Sequence, residues 1–243
     1  MIIDLIKKNI PEYNLKFPLS KSSFSFRPIL VKEEKYLAIT TNISSTFEDK
    51  LKNLCNLVNS CFDNKLDSLN MTIADFQYAL NELRKKSIGD DVEFNITCPE
   101  TKESIPIHLN LSKFKINKIS NEAEIKLNKK GLLIKFKQPK MKDLLILKDF
   151  PSTDDDYTKL VASCIFEVET PIETYSVLEN TLEEKLKYIE YLNLNEFKKI
   201  KEFIGSGSMT TILKYKTSDL VDRELEVNDF ANFLKFYMVI LTL

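Results

Sequence analysis

Apolar positions along the chain fall into two rhythms. Phe47, Leu51, Leu54, Val58 and Phe62 recur at steps of three or four, which lays them along one face of a helix. Ser45 with Glu48 three positions later predicts a capping-box start for that helix, and Cys55 and Cys61 on or beside its apolar face are expected to be buried. A second helix is predicted from about Thr72, with Phe76, Ala79, Leu80 and Leu83 on one side. Lys85 and Lys86 fall in its last turn, where cations suit the helix dipole, and Gly89 ends it. Ahead of both, LKFPL, the turn KSS and FSFRPIL read as a short hairpin over residues 15–30. Pro28 lacks an amide donor and suits a strand end.

From residue 91 the period changes to two. Val92, Phe94 and Ile96 alternate with polar residues, and after the turn PETKE so do Ile105, Ile107, Leu109 and Leu111, a hairpin with one wet face. A second pair follows, Ala123, Ile125 and Leu127 joined through NKKG to Leu132, Ile134 and Phe136, with Gly131 free to take the positive φ of the turn.

Helical spacing returns at Met141. Ser152 and Thr153 precede Asp154, Asp155 and Asp156, and YTKLVASCIF reads as the helix they begin. Leu178, Leu182, Leu186 and Ile189 form another stripe, and Asn193 with Glu196 opens a short helix that stops at Gly205. The run GSGS at 205–208 is a linker candidate; TTILKYK and RELEV predict a last hairpin before the apolar tail FLKFYMVILTL. The pattern predicts an α+β protein: an N-terminal hairpin plus helices, a central antiparallel β section, and a helical C-terminal half ending in a hairpin. It divides as 1–112, 113–205 and 206–243.

With 243 residues and 43% hydrophobic composition, the chain can build a substantial core. A net charge of −1 gives no global attraction to nucleic acid or an anionic membrane, so no partner of either kind is expected. Four scattered cysteines do not make a disulfide framework, and a reducing compartment fits them. The N-terminal MIIDLIKKNIPEY does not match a signal peptide. The terminal apolar run, 11 residues long, is short of the roughly 20 needed to cross a bilayer; it is expected to dock in the core or against another subunit.

Candidate chemistry is sparse. The four glycines, Gly89, Gly131, Gly205 and Gly207, cannot be arranged as a P-loop or a dinucleotide fingerprint. The single histidine, His108, has no visible orienting partner or nucleophile. Cys98-Pro99 starts like half a zinc knuckle, but Thr101 stands where the second sulfur belongs. The triplet Asp154 to Asp156 lacks the spacing of a calcium loop and suits a helix start. No catalytic residue, metal ligand set or cofactor is therefore assigned. Ten lysines between Lys113 and Lys142 face only Glu122 and Glu124, as solvated strand faces or as a patch for an acidic protein surface. Two other readings stay open: a metal-dependent hydrolase built on the acidic triplet and His108, and a nucleic-acid binder using Lys129, Lys130, Lys135 and Lys137.

FRPILVKEEKYLA at 26–38, Cys61 closing the helix that follows, and DFQYALNELRKKSIGDDVEFNITC at 75–98 together resemble the T4-type bacteriophage baseplate protein family. The likeness is carried by ordered short motifs over roughly the first 110 residues, and NDFANFL at 228–234 is similar to the family's ending. Family hairpins often carry cysteine pairs; here Cys98 alone remains in the first and the last has none. The resemblance implies a non-enzymatic protein that assembles the central baseplate hub of a contractile-tail phage, as a chaperone-like factor or a hub component. Its partners would be baseplate hub proteins and its place the host cytoplasm or the virion tail baseplate. The interaction residues it suggests are Arg27, Pro28, Lys32, Glu33, Glu34 and Arg84. On that reading Pro28 fixes the strand exit, Arg27 offers a planar fork to a carboxylate, and residues 32–35 cover the exposed side of the next helix. Equally, Arg27 and Arg84 can pair with Glu33, Glu34 or Asp75 and tie the hairpin to the helices.

Overall fold

A computed structural model describes residues 2–116, 120–127, 131–149 and 151–227. It opens with helix α1 (Ile2–Lys8) and the antiparallel hairpin of β1 (Tyr13–Lys16) and β2 (Ser23–Phe26). After the Pro28 corner come α2 (Glu34–Thr41) and two fifteen-residue helices, α3 (Phe47–Cys61) and α4 (Ile73–Ser87). Helix α3 starts one residue later than Ser45 predicts. Thr46 is extended and its hydroxyl accepts the Asp49 N–H at 3.1 Å, while Glu48 pairs with Lys52 one turn on. Helix α4 begins after Thr72 as its spacing predicts, and Gly89 leaves it at φ +126, a conformation open to glycine.

The period-two tract forms β3 (Asp91–Thr97) and β4 (Ser104–Asn110), with Val92, Ile107 and Leu109 buried. A short β5 (Lys115–Ile116) precedes the pair β6 (Glu122–Leu127) and β7 (Leu132–Lys137). Helix α5 (Asp154–Ser163) is shorter than the spacing predicts. Residues 165 and 166 leave it for β8 (Ile165–Glu169), which with β9 (Thr174–Ser176) extends β6–β7 to a four-stranded antiparallel sheet. The cause is an alternation hidden in FEVE: Val168 is buried while Glu167 and Glu169 reach Lys135 of β7 at 2.6 and 3.2 Å. The α+β architecture is as the pattern predicts, and the stretch from Met141 to Gly205 is helical apart from this β8–β9 pair.

Helix α6 (Leu182–Glu190) starts after Thr181, which leaves Leu178 outside the stripe and exposed. Helix α7 (Leu194–Gly205) has the predicted Asn193–Glu196 box. The 205–208 run is a packed corner: a Cβ on Gly207 would lie 3.2 Å from Gln138 Oε1 and 3.3 Å from Ala74 Cβ. The closing hairpin is β10 (Met209–Lys216) with β11 (Asp222–Val227), and β10 also pairs with β5.

One apolar cluster runs from Leu15 to Tyr215, with Phe17, Phe62, Phe76 and Phe136 fully buried at its centre. No helix among the described residues is long and apolar enough to cross a membrane. The tail at 233–243, the NDFANFL ending and Lys129 and Lys130 lie outside the described residues.

Candidate functional site

The FRP corner is set by packing first. Phe26 is buried at the end of β2, with its ring stacked on Phe62 at 5.3 Å and tilted against Tyr13 at 5.6 Å. That anchors the Arg27 backbone, whose N–H donates to the Cys61 carbonyl at 3.0 Å. The guanidinium then turns inward. It donates to both oxygens of Glu33, at 3.2 and 3.0 Å, and to the carbonyls of Ser60 at 2.9 Å and Pro28 at 3.1 Å.

Glu33 is 1% exposed, so it does not help cover the outer side of the helix. It also accepts the Ser60 hydroxyl at 2.8 Å and the Leu30 N–H at 2.9 Å. Burial alone would push its carboxyl up; the Arg27 fork, Ser60 and the Leu30 N–H outweigh that and hold it below the ordinary carboxylate value. Burial pushes the neighbouring Cys61 thiol up to about 12, and Cys55 likewise, so both are inert packing groups.

Other signature residues are ties of the same kind. Asp75 is buried and accepts the N–H groups of Leu19 and Ser20 at 2.8 and 2.9 Å, fastening the hairpin turn to α4. Ser87 accepts the Ile29 N–H at 2.9 Å. Arg84 is 3% exposed and donates to the Gly89 carbonyl at 2.9 Å. Of the six expected interaction residues, Arg27, Pro28, Glu33 and Arg84 are thus within the framework, and Lys32 and Glu34 are on the surface.

Beside this corner, α1 and the segment after it wall a groove of about 510 Å³. Ile6, Ile10 and Leu30 give it an apolar floor, and Lys7, Lys32 and Asp63 stand around it. Ile2, Leu5 and Ile6 on α1 and Val31 at the corner are 61–78% exposed. The sequence reading missed this face, although Ile2, Leu5 and Ile6 already show helical spacing.

The alternative chemistries are dispersed. His108 is exposed on β4, 3.8 Å from Asp91. Asp154 pairs with Lys201 at 2.8 Å, Asp155 with Lys159, and Asp156 closes the capping box of α5. Among the described residues no three His, Cys, Asp or Glu side chains are grouped to hold a metal ion. Of the lysines considered for nucleic acid, Lys135 is held by two glutamates and Lys137 lies 4.1 Å from the Phe166 ring.

No curated protein and no solved structure matches this chain. The match to a family model does: it spans residues 10–235, well past the N-terminal motifs that suggested it, and the chain belongs to the family described as T4 bacteriophage base plate protein.

Proposed function

We propose that this protein acts in assembly of the central baseplate hub, as a chaperone-like factor or a hub component, by gripping other hub proteins and without chemistry of its own. It would work in the host cytoplasm and, as a component, in the virion tail. The observation that supports this reading is a groove lined by Ile6 and Ile10 together with Arg27, whose fork Glu33 fixes from behind, next to the exposed Ile2 and Leu5 of α1. Exposed apolar surface next to a fixed wall is what a partner side chain needs for burial. Arg27, Pro28, Glu33 and Arg84 hold the wall's shape, and Lys32 and Glu34 meet the partner.

Co-expression with the hub proteins of the same phage tests it. Wild-type protein should co-purify with at least one of them. Ile6→Glu and Lys32→Glu should reduce that recovery at least tenfold, roughly the weight of one central contact, with the unfolding midpoint unchanged. If no hub protein co-purifies, or the surface variants leave recovery intact, the proposal fails.

A further inference from the structure

We infer that the outer edge of β9 is a docking site for an extended partner segment in which basic and apolar residues alternate. The four-stranded sheet carries an apolar row across its strands, Ile125, Ile134, Val168 and Tyr175, each directly opposite the next. Exposure along the row is 8%, 1% and 8%, then 50% at Tyr175. The row ends unfinished, and an apolar residue from a fifth strand would cover Tyr175 as Tyr175 helps cover Val168.

The backbone is arranged for that strand. Thr170 donates to the Glu173 carbonyl at 2.8 Å and Val177 to the Phe166 carbonyl at 3.0 Å. Bonded pairs alternate along an antiparallel ladder, so Tyr175 directs its N–H and C=O to β8 while Thr174 and Ser176 direct theirs outward. All three residues of β9 are exposed and none is charged. The opposite edge, β6, carries Glu122, Glu124 and Lys126, the usual protection against added strands.

Charge selects the partner. Between Lys159 and Lys185 there is no lysine or arginine, and there are six glutamates: Glu167, Glu169, Glu173, Glu179, Glu183 and Glu184. On the polar face, Thr174 and Ser176 sit opposite Glu169 and Glu167, two carboxylates that share the single Lys135 of β7 and so keep one negative charge between them. Both are short, so a lysine or arginine of an added strand reaches over them toward carboxylates about 10 Å away, two strand spacings. Ile172, 93% exposed, and Leu178, 57% exposed, flank the edge at its two ends. Strand addition of this kind draws affinity from the main chain and specificity from alternate side chains.

Calorimetric titration of the full chain with a short synthetic peptide of alternating lysine and valine tests this, against alternating glutamate and valine and a scrambled peptide. Binding of the lysine peptide alone, weakened by added salt, is the expected result. Ser176→Pro removes an outward N–H without touching the ladder to β8, and should weaken binding about tenfold while the circular dichroism spectrum is unchanged. Equal binding of the two charged peptides, no binding, or indifference to Ser176→Pro overturns the inference. A dimer that Ser176→Pro converts to monomer also overturns it, because the edge then belongs to a second copy.

Discussion

Arg27 and Arg223 invite comparison because their side chains are equally covered, each 12% exposed, while their carboxylate partners are not. Glu33 is 1% exposed; Glu100 is 72% and Asp219 41% exposed. Around Arg223, Glu100 accepts at 2.9 Å and Asp219 takes both nitrogens of the fork, at 2.8 and 2.6 Å. Glu103 accepts the Ser218 N–H and hydroxyl at 3.0 and 2.8 Å, so this cluster clasps the β3–β4 turn to the β10–β11 turn. Two arginine knots of similar geometry therefore differ in whether water can reach the anion. An anion that water can reach loses little when its cation is removed; one that water cannot reach is left desolvated.

The difference in water access has its largest consequence at Arg27. Arg27→Ala leaves the Glu33 carboxylate buried with Ser60, the Leu30 N–H and, at 3.6 Å, the exposed ammonium of Lys32, and should cost about 3 kcal/mol in urea unfolding. A loss below about 1 kcal/mol would mean water enters the corner and the contrast is empty. Acid sharpens the same point. The folded pKa of Glu33 lies below its ordinary 4.5, so its contribution is full above that value and is lost as pH falls through the folded pKa. Wild type should therefore lose stability on acidification below about pH 4.5, and Glu33→Gln, though less stable at neutral pH, should show a shallower loss over that window.

How legible each knot was in the sequence follows from chain distance. Arg27 and Glu33 are six positions apart, and a proline-fixed corner leaves a carboxylate there few other places to go. Pairing was one of two open readings; the burial of Glu33 was not foreseen, because VKEEK alternates charge as a solvated helix does, and only Ser60, 27 positions on, shows which glutamate turns in. Arg223 and Glu100 are 123 positions apart, joined by two hairpins whose strands were each readable but whose meeting was not. The same limit hid β8: the alternation in FEVE is four residues long and continues directly from a helical spacing, so its pairing with β7 is what decides it as a strand. The corner's docking role stays a proposal for a related reason. Spacing shows what a residue sits beside in its own chain, and a partner leaves no spacing.

The smallest effects belong to the clasp. Arg223→Ala frees Glu100 and Asp219 to water they already touch, and should lower the urea midpoint far less than Arg27→Ala does, the loss shrinking further at high salt. Amide exchange is the more sensitive probe. Protection should fall at residues 98–103 and 217–221 while α3 and α4 are unchanged, because opening the clasp exposes two turns and little apolar surface. Glu100→Gln should do less again, a few tenths of a kcal/mol. Asp219 keeps both nitrogens of the fork in that variant, so Arg223 stays in place and only an exposed third contact is weakened. If Glu100→Gln instead matched Arg27→Ala, solvent access to the anion would not be what separates the two knots, and the reach of each pair across the fold would have to be.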